Sequence, residues 1–203
     1  MLKIWGRTNS INVQKVLWTC DELALEYERT DAAGAFGFPD DFVNPNKLVP
    51  AISGDGFELW ESNAIVRYLA RKHAVGTLSP ENLEHLADAD RWMDWQATTL
   101  WNGIRPVFWG LVRTPPEERD EEAIEAARKQ TEAAWDILEA EMSGKEYVTG
   151  DSFTIADIPL GASIHRWHAL DVERKPRPNV DGWYERLKER PAYMKNVVEI
   201  PLK

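Results

Sequence analysis

Between Leu2 and Asp31 the chain sets down a short apolar run, a polar loop, a helical pattern and a second short extended run. Two strands separated by one helix in about thirty residues are most simply joined as a right-handed parallel crossover. Leu2 to Trp5 reads as the first strand, closed by Gly6 and followed by the loop Arg7-Thr8-Asn9-Ser10. Val13, Val16, Leu17, Cys20, Leu23 and Ala24 then recur at spacings of three and four, which predicts a helix with one apolar face packed on a sheet. Tyr27 to Asp31 is the second strand, and Ala32 to Pro45 reads as irregular. Val49 to Ser53 and Phe57 to Trp60 flank Gly54-Asp55-Gly56, a turn signal for an antiparallel hairpin. A helix over Ser62 to Lys72 closes the unit, with Ile65, Val66, Leu69 and Ala70 inward.

Beyond a linker at 74–85 the pattern changes to helices alone. Leu86, Ala89, Met93, Ala97, Leu100, Ile104, Val107 and Leu111 keep helical spacing, with Gly103 and Pro106 expected to kink the helix midway. A second long helix spans Glu117 to Met142, with Ala123, Ala127, Ala134, Ile137, Leu138 and Met142 as inward candidates. Thr154-Ile155-Ala156-Asp157 has the spacing of a capping box, in which hydroxyl and carboxylate each satisfy the other's free backbone N–H. Val180 to Arg190 predicts a last helix. Seven of the ten tryptophans lie after residue 90, which adds to the contrast between the two parts. The expected fold class is α+β, with a small sheet domain over 1–75 and an all-helical domain over 86–203.

Charge and composition exclude several functions. The formal charge of −10 repels a phosphate backbone, so no nucleic-acid partner is expected. No apolar run approaches the roughly 20 residues needed to cross a bilayer. With one cysteine, Cys20, and no basic leader before an apolar run, the expected setting is reducing and cytoplasmic. Cys20 lies well inside the first helix without a Cys-x-x-Cys partner and reads as core. His165 and His168 share a helix face, but no third ligand stands at a recognisable spacing, so no metal is expected. Gly54-Asp55-Gly56 lacks the Lys-Ser/Thr of a phosphate loop, and the acids of 117–125 read as a solvated helix face.

Chemistry is expected where the loop Thr8-Asn9-Ser10-Ile11-Asn12 leaves the carboxyl end of a parallel strand, since open sheets bind ligands there. Its hydroxyls and amides either cap the helix or donate to an anion at the helix's positive end. Val49-Pro50 precedes an apolar strand, and Glu61-Ser62 opens the helix predicted over Ser62 to Lys72. If the fold is as drawn, these features share one edge of the sheet and suit an extended, peptide-like ligand.

Four segments in this order resemble the glutathione S-transferases: Ser10-Ile11-Asn12-Val13-Gln14-Lys15-Val16, Asn44-Pro45-Asn46-Lys47-Leu48-Val49-Pro50, Glu61-Ser62-Asn63-Ala64-Ile65 and Gly150-Asp151-Ser152-Phe153-Thr154-Ile155-Ala156-Asp157. The resemblance spans the whole chain. It implies a thioredoxin-like N-terminal domain that binds glutathione as co-substrate and a helical domain that receives a small hydrophobic electrophile. It also implies a homodimer, with the helix over 62–72 and the long helix after it in the interface. In the family the Val49-Pro50 bond is cis, the Val49 backbone pairs with the cysteinyl part of glutathione, and Glu61 and Ser62 hold its γ-glutamyl group. Lys47 is a candidate for the glycyl carboxylate, although many relatives have glycine there. Ser10 matches the catalytic serine of plant-like and theta-like classes. Asn12 matches an asparagine of bacterial classes related to yeast prion-like transferases. Trp101, Arg105 and Trp109 fall where the family walls its electrophile pocket.

A free thiol near pKa 8.5 is only about 3 per cent thiolate at pH 7, and the thiolate is the nucleophile. One hydrogen bond to a charged acceptor is worth roughly 1.5–3 kcal/mol, enough to lower the pKa by about one to two units. Ser10 is the expected principal donor, with Asn12 a second donor or the alternative. Two other function classes stay open: a glutathione-dependent disulfide reductase or peroxidase, and a noncatalytic binding module on the same fold.

Overall fold

The computed structural model describes residues 1–202. Strands β1 (Leu2–Trp5), β2 (Tyr27–Thr30), β3 (Ala51–Gly54) and β4 (Phe57–Trp60) form one sheet in the order β2-β1-β3-β4. β1 and β2 run parallel, with Lys3 opposite Glu28, while β1–β3 and β3–β4 are antiparallel, with Ile4 opposite Ile52 and Ala51 opposite Trp60. The crossover is α1 (Ile11–Glu22), and α2 (Ser62–His73) follows the hairpin. Ile4, Val13, Val16, Leu17, Cys20, Ile52, Ile65 and Leu69 close a small core between the sheet and these two helices.

One expectation for α1 needs correction. It is buried on nearly all sides, not along one stripe, because the face opposite the sheet is covered by the helical part of the chain. Trp18 on that face is fully buried and meets Phe153 and Tyr193 at ring-centroid distances of 5.6 and 4.5 Å. An aromatic buried there contributes on the order of 4–6 kcal/mol at ~25 cal/mol per Å², so α1 is shared by both parts of the fold.

The helical part comprises α3 (Leu83–Trp95), α4 (Trp101–Phe108), α5 (Glu121–Glu141), α6 (Asp157–His168), α7 (Pro178–Lys188) and the short α8 (Pro191–Tyr193). Its core includes Trp135, Trp167 and Trp183, all 1% exposed or less. Between α3 and α4, and again after α4, five-residue π-helical turns at Gln96–Leu100 and Trp109–Arg113 widen the helix without ending it. A π turn carries one residue more than an α turn, which rotates every later side chain. Hence Gln96 and Leu100 are buried while Ala97, expected inward, is exposed. The helix continues through Gly103 and Pro106. Gly103 is there for close approach: a Cβ would lie 2.5 Å from Thr131 Oγ1 and 3.2 Å from Thr131 N on α5. On α5 the inward set is Ile124, Ala127, Thr131, Ala134, Trp135 and Leu138, with Ala123 and Ile137 outside.

The capping box at α6 is half formed. Asp157 Oδ2 accepts from Thr154 N at 2.8 Å, but Asp157 N bonds the Thr154 carbonyl and not its hydroxyl. The buried carboxylate's other oxygen accepts from Val148 N at 3.1 Å and Trp183 Nε1 at 2.9 Å, so it ties a loop and α7 to the start of α6.

Candidate active site

The loop after β1 turns because Gly6 has φ +152 and no side chain. A Cβ there would lie 2.4 Å from Val13 Cγ2 and 3.3 Å from Val49 Cβ. Ser10 ends the loop in extended conformation, φ −80 and ψ 122, and its carbonyl accepts the first helical bond from Gln14 N at 2.9 Å. Its hydroxyl makes no capping bond, and the first turn of α1 holds no acid. A helix start without a capping oxygen or a carboxylate keeps its positive field and its free N–H groups for an incoming anion. Of the two readings open for Ser10, capping is therefore not the one the structure adopts.

Asn12, the second residue of α1, accepts from Ser62 Oγ at 3.2 Å through Oδ1, which leaves its amide N–H₂ uncommitted. Ser62 is buried at the start of α2, and Glu61 before it is exposed with φ +72. A left-handed backbone at a non-glycine residue is uncommon, and such residues gather at ligand-binding positions. The Val49–Pro50 peptide is cis. The segment before it is held by Asn44, whose Nδ2 donates to Leu48 O at 2.8 Å and whose Oδ1 accepts from Asn46 N at 2.9 Å.

Two adjoining clefts contain these residues. One, of about 370 Å³, is lined by Asn12, Lys15, Glu61, Ser62, Asn63, Arg67, Asp94, Gln96 and Trp101 among others. The second, of about 640 Å³, runs past Ser10, Lys47 and Val49 to Trp101, Arg105, Phe108 and Trp109. Asn12 and Trp101 belong to both. Of the residues singled out in the sequence, all but Pro50 line one cleft or the other; Pro50 is buried behind Val49. Lys47 is exposed at the rim, with Nζ 5.6 and 5.7 Å from the ring centres of Phe38 and Phe42.

Sequence reasoning missed three residues of this site: Lys15, Arg113 and Arg166. Lys15 is 3% exposed on α1 and donates to Gln96 Oε1 at 3.0 Å and Asn63 Oδ1 at 3.4 Å. Burial pulls its ammonium down to about 7, against the raising effect of Glu61 and with the lowering effect of Arg166. Gln96 reaches it because the π turn directs that side chain inward, where Nε2 also donates to Ser163 Oγ at 3.0 Å. Arg166 is 6% exposed on α6, donates to Asn9 O at 3.2 Å and stacks with its guanidinium carbon 4.6 Å from the Phe108 ring centre. Arg113 lies 5.6 Å from the same ring. Burial, then Arg113 and Arg7, pull Arg166 down to about 10. The available signal was a cation inside an otherwise apolar helical face: Lys15 beside Val16 and Trp18, and Arg166 between Ile164 and Trp167.

Comparison with known proteins bears on the whole chain. Family models described as the glutathione S-transferase N-terminal and C-terminal domains match residues 1–71 and 121–186. Glutathione S-transferase GstB of Escherichia coli K12 is 44% identical over 208 residues, covering 100% of both chains. Glutathione S-transferase 3 of Zea mays is 31% identical, over 99% of this chain and 95% of that one. Among solved structures, a theta-class glutathione S-transferase from Xanthomonas axonopodis pv. citri with glutathione bound superposes with a TM-score of 0.93 at 41% identity, over 100% of this chain and 99% of that one.

Proposed function

The chain belongs to the glutathione S-transferase family, and from that premise we propose that its joined clefts hold glutathione extended and deliver the sulfur, as thiolate, to a small electrophile with a hydrophobic body. An extended tripeptide reaches about 10 Å, a length suited to a ligand crossing from one cleft to the next. In this reading Glu61 and Ser62 take the γ-glutamyl group, the Val49 backbone beside Pro50 takes the cysteinyl unit, and Lys47 takes the glycyl carboxylate. Ser10 donates its hydroxyl to the sulfur, and Asn12 is the second donor. Trp101, Arg105 and Trp109 wall the place of the electrophile. The reading includes a cytoplasmic homodimer; Phe57 and Trp60, 44% and 38% exposed on edge strand β4, are apolar surface that a second copy suits.

The observation that carries the proposal is the Ser10 hydroxyl: it is uncommitted, at the amino end of a helix without an acid in its first turn, where the cleft turns toward the aromatic wall. Catalysis there lowers the cost of forming the nucleophile and positions it; the thiol proton goes to solvent and the electrophile's leaving group departs with its bonding pair. The test is a panel of an aryl halide, a hydroperoxide and a mixed disulfide with glutathione. Conjugation of the aryl halide is expected to dominate. Dominant peroxide or disulfide turnover would assign the site to reductase chemistry, and glutathione binding without turnover of any of the three would assign a binding module.

A further inference from the structure

Lys15 is the one buried lysine among the described residues, and it lines the smaller cleft. Lysines elsewhere that pair do so with carboxylates, as Lys3 with Asp41, Lys72 with Asp55 and Lys195 with Asp21. Lys15 instead donates to two amide oxygens, Gln96 Oε1 at 3.0 Å and Asn63 Oδ1 at 3.4 Å. Both amides are fixed from behind. Gln96 Nε2 donates to Ser163 Oγ at 3.0 Å and Asn63 Nδ2 to Met93 O at 2.8 Å, so each presents its oxygen to the lysine. Two acceptors match the two N–H groups of a neutral amine, whereas an ammonium has three. The acceptor for a third N–H has to come from the cleft.

Asn12 and Lys15 stand three residues apart on α1 and share a face. The bonds Ser62–Asn12, at 3.2 Å, and Lys15–Asn63, at 3.4 Å, are successive links between α1 and α2, separated by a rise of about 4.5 Å along α1. The γ-glutamyl end of glutathione is a zwitterion. In the pose given above its ammonium goes to exposed Glu61 and its α-carboxylate to buried Ser62, one link from the lysine. We propose that Lys15 is a specificity-determining residue for that α-carboxylate, taking a proton from solvent as the carboxylate arrives and turning its third N–H toward it. Burial disfavours the ammonium, Glu61 favours it and Arg166 disfavours it, and a carboxylate at Ser62 acts in the same sense as Glu61. The remaining charges nearby are paired: Arg67 of α2 with Asp94 of α3, and Arg190 and Lys195 with Glu22 and Asp21 at the far end of α1. This inference rests on the transferase reading and adds a residue by which the site selects a γ-glutamyl ligand.

A matched pair of ligands tests it: S-methylglutathione, and the same molecule with 4-aminobutanoyl in place of γ-glutamyl, which lacks only the α-carboxylate. The S-methyl group removes the thiol, so no proton comes from sulfur. Affinities are read by quenching of tryptophan, Trp101 lining both clefts, in the parent and in Lys15→Met. The parent is expected to prefer S-methylglutathione, and Lys15→Met to cut that preference about tenfold, the scale of one charge-assisted hydrogen bond, with little change for the analogue. Calorimetry at pH 7.5 in two buffers of different ionisation enthalpy reads the proton. The parent should take up about half a proton or more with S-methylglutathione than with the analogue, and Lys15→Met should lose that difference. Equal proton uptake with both ligands in the parent overturns the proposal without need of a variant. An equal loss of affinity for both ligands in Lys15→Met also overturns it and assigns the lysine to holding α1, α2 and Gln96 together; an unchanged preference overturns it as well. In each of these cases S-methylglutathione still binds the parent and the transferase reading stands. Failure of the parent to bind either ligand overturns both.

Discussion

Replacing Lys15 by Met is expected to flatten a pH dependence of stability that the parent chain carries. In the folded chain, burial pulls the Lys15 ammonium down to about 7, whereas in the unfolded chain it titrates near its ordinary value of 10.5. Between these values the unfolded state holds a proton that the folded state has released, so stability rises with pH at up to about 1.4 kcal/mol per unit. From pH 7, where the folded group is half titrated, to pH 9, the gain integrates to about 2 kcal/mol. The charged and titratable neighbours in and around its cleft are Glu61, Arg67, Asp94 and Arg166, all retained in the variant. Cys20, pushed up to about 12 by burial and Asp21, is common to both proteins and cancels in the comparison. Methionine also leaves Gln96 Oε1 and Asn63 Oδ1 without the Lys15 donor, a cost independent of pH over this range. Urea unfolding followed by tryptophan fluorescence at pH 7, 8 and 9 measures the difference. The parent should gain about 2 kcal/mol on Lys15→Met across the series. Parallel curves would refute the reasoning and mean that Lys15 stays protonated in the folded protein.

Three further outcomes follow from single contacts. Asp157→Ala orphans Val148 N, Thr154 N and Trp183 Nε1, and at about 1–3 kcal/mol per buried donor the loss should reach at least ~3 kcal/mol in chemical denaturation; Asp157→Asn, which keeps one acceptor oxygen, should lose less. Gly103→Ala sets a methyl 2.5 Å from Thr131 Oγ1 and within 3.3 Å of the α5 backbone, so a loss of about 1–3 kcal/mol is expected, and an unchanged melting temperature would show that α4 and α5 separate freely. Ser62→Ala removes the hydroxyl that bonds Asn12 and faces the smaller cleft; KM for glutathione should rise about tenfold or more with a smaller change in kcat, and the opposite split would remove Ser62 from glutathione binding.

The parts of the fold set by local pattern were legible in the sequence. The β1-α1-β2 crossover follows from segment lengths, and the β3–β4 hairpin from Gly54-Asp55-Gly56 between two apolar runs. What periodicity misses is anything that changes its own period. The π turn at Gln96 shifts the phase of the long helix, so periodicity puts Ala97 inward and passes over Gln96, which reaches Lys15. The second buried face of α1 was likewise invisible, because Trp18 and Lys15 are covered by residues more than sixty positions away. Of the residues that line the two clefts, Ser10, Asn12, Lys47, Val49, Glu61 and Ser62 stand in short motifs that the sequence displays. Arg113 and Arg166 come to the cleft from separate helices, and a single sequence does not tell an inward arginine from a solvated one.

The claim on which this account turns is that the Ser10 hydroxyl lowers the pKa of glutathione's sulfur at the head of α1. Titration of the thiolate absorbance of bound glutathione, in the parent and in Ser10→Ala, tests it directly. The account expects a thiol in the parent well below the free value of about 8.5 and a rise of about one to two units in the variant. An unchanged value in Ser10→Ala, with the shift appearing in Asn12→Ala, would contradict it and move the donor to Asn12.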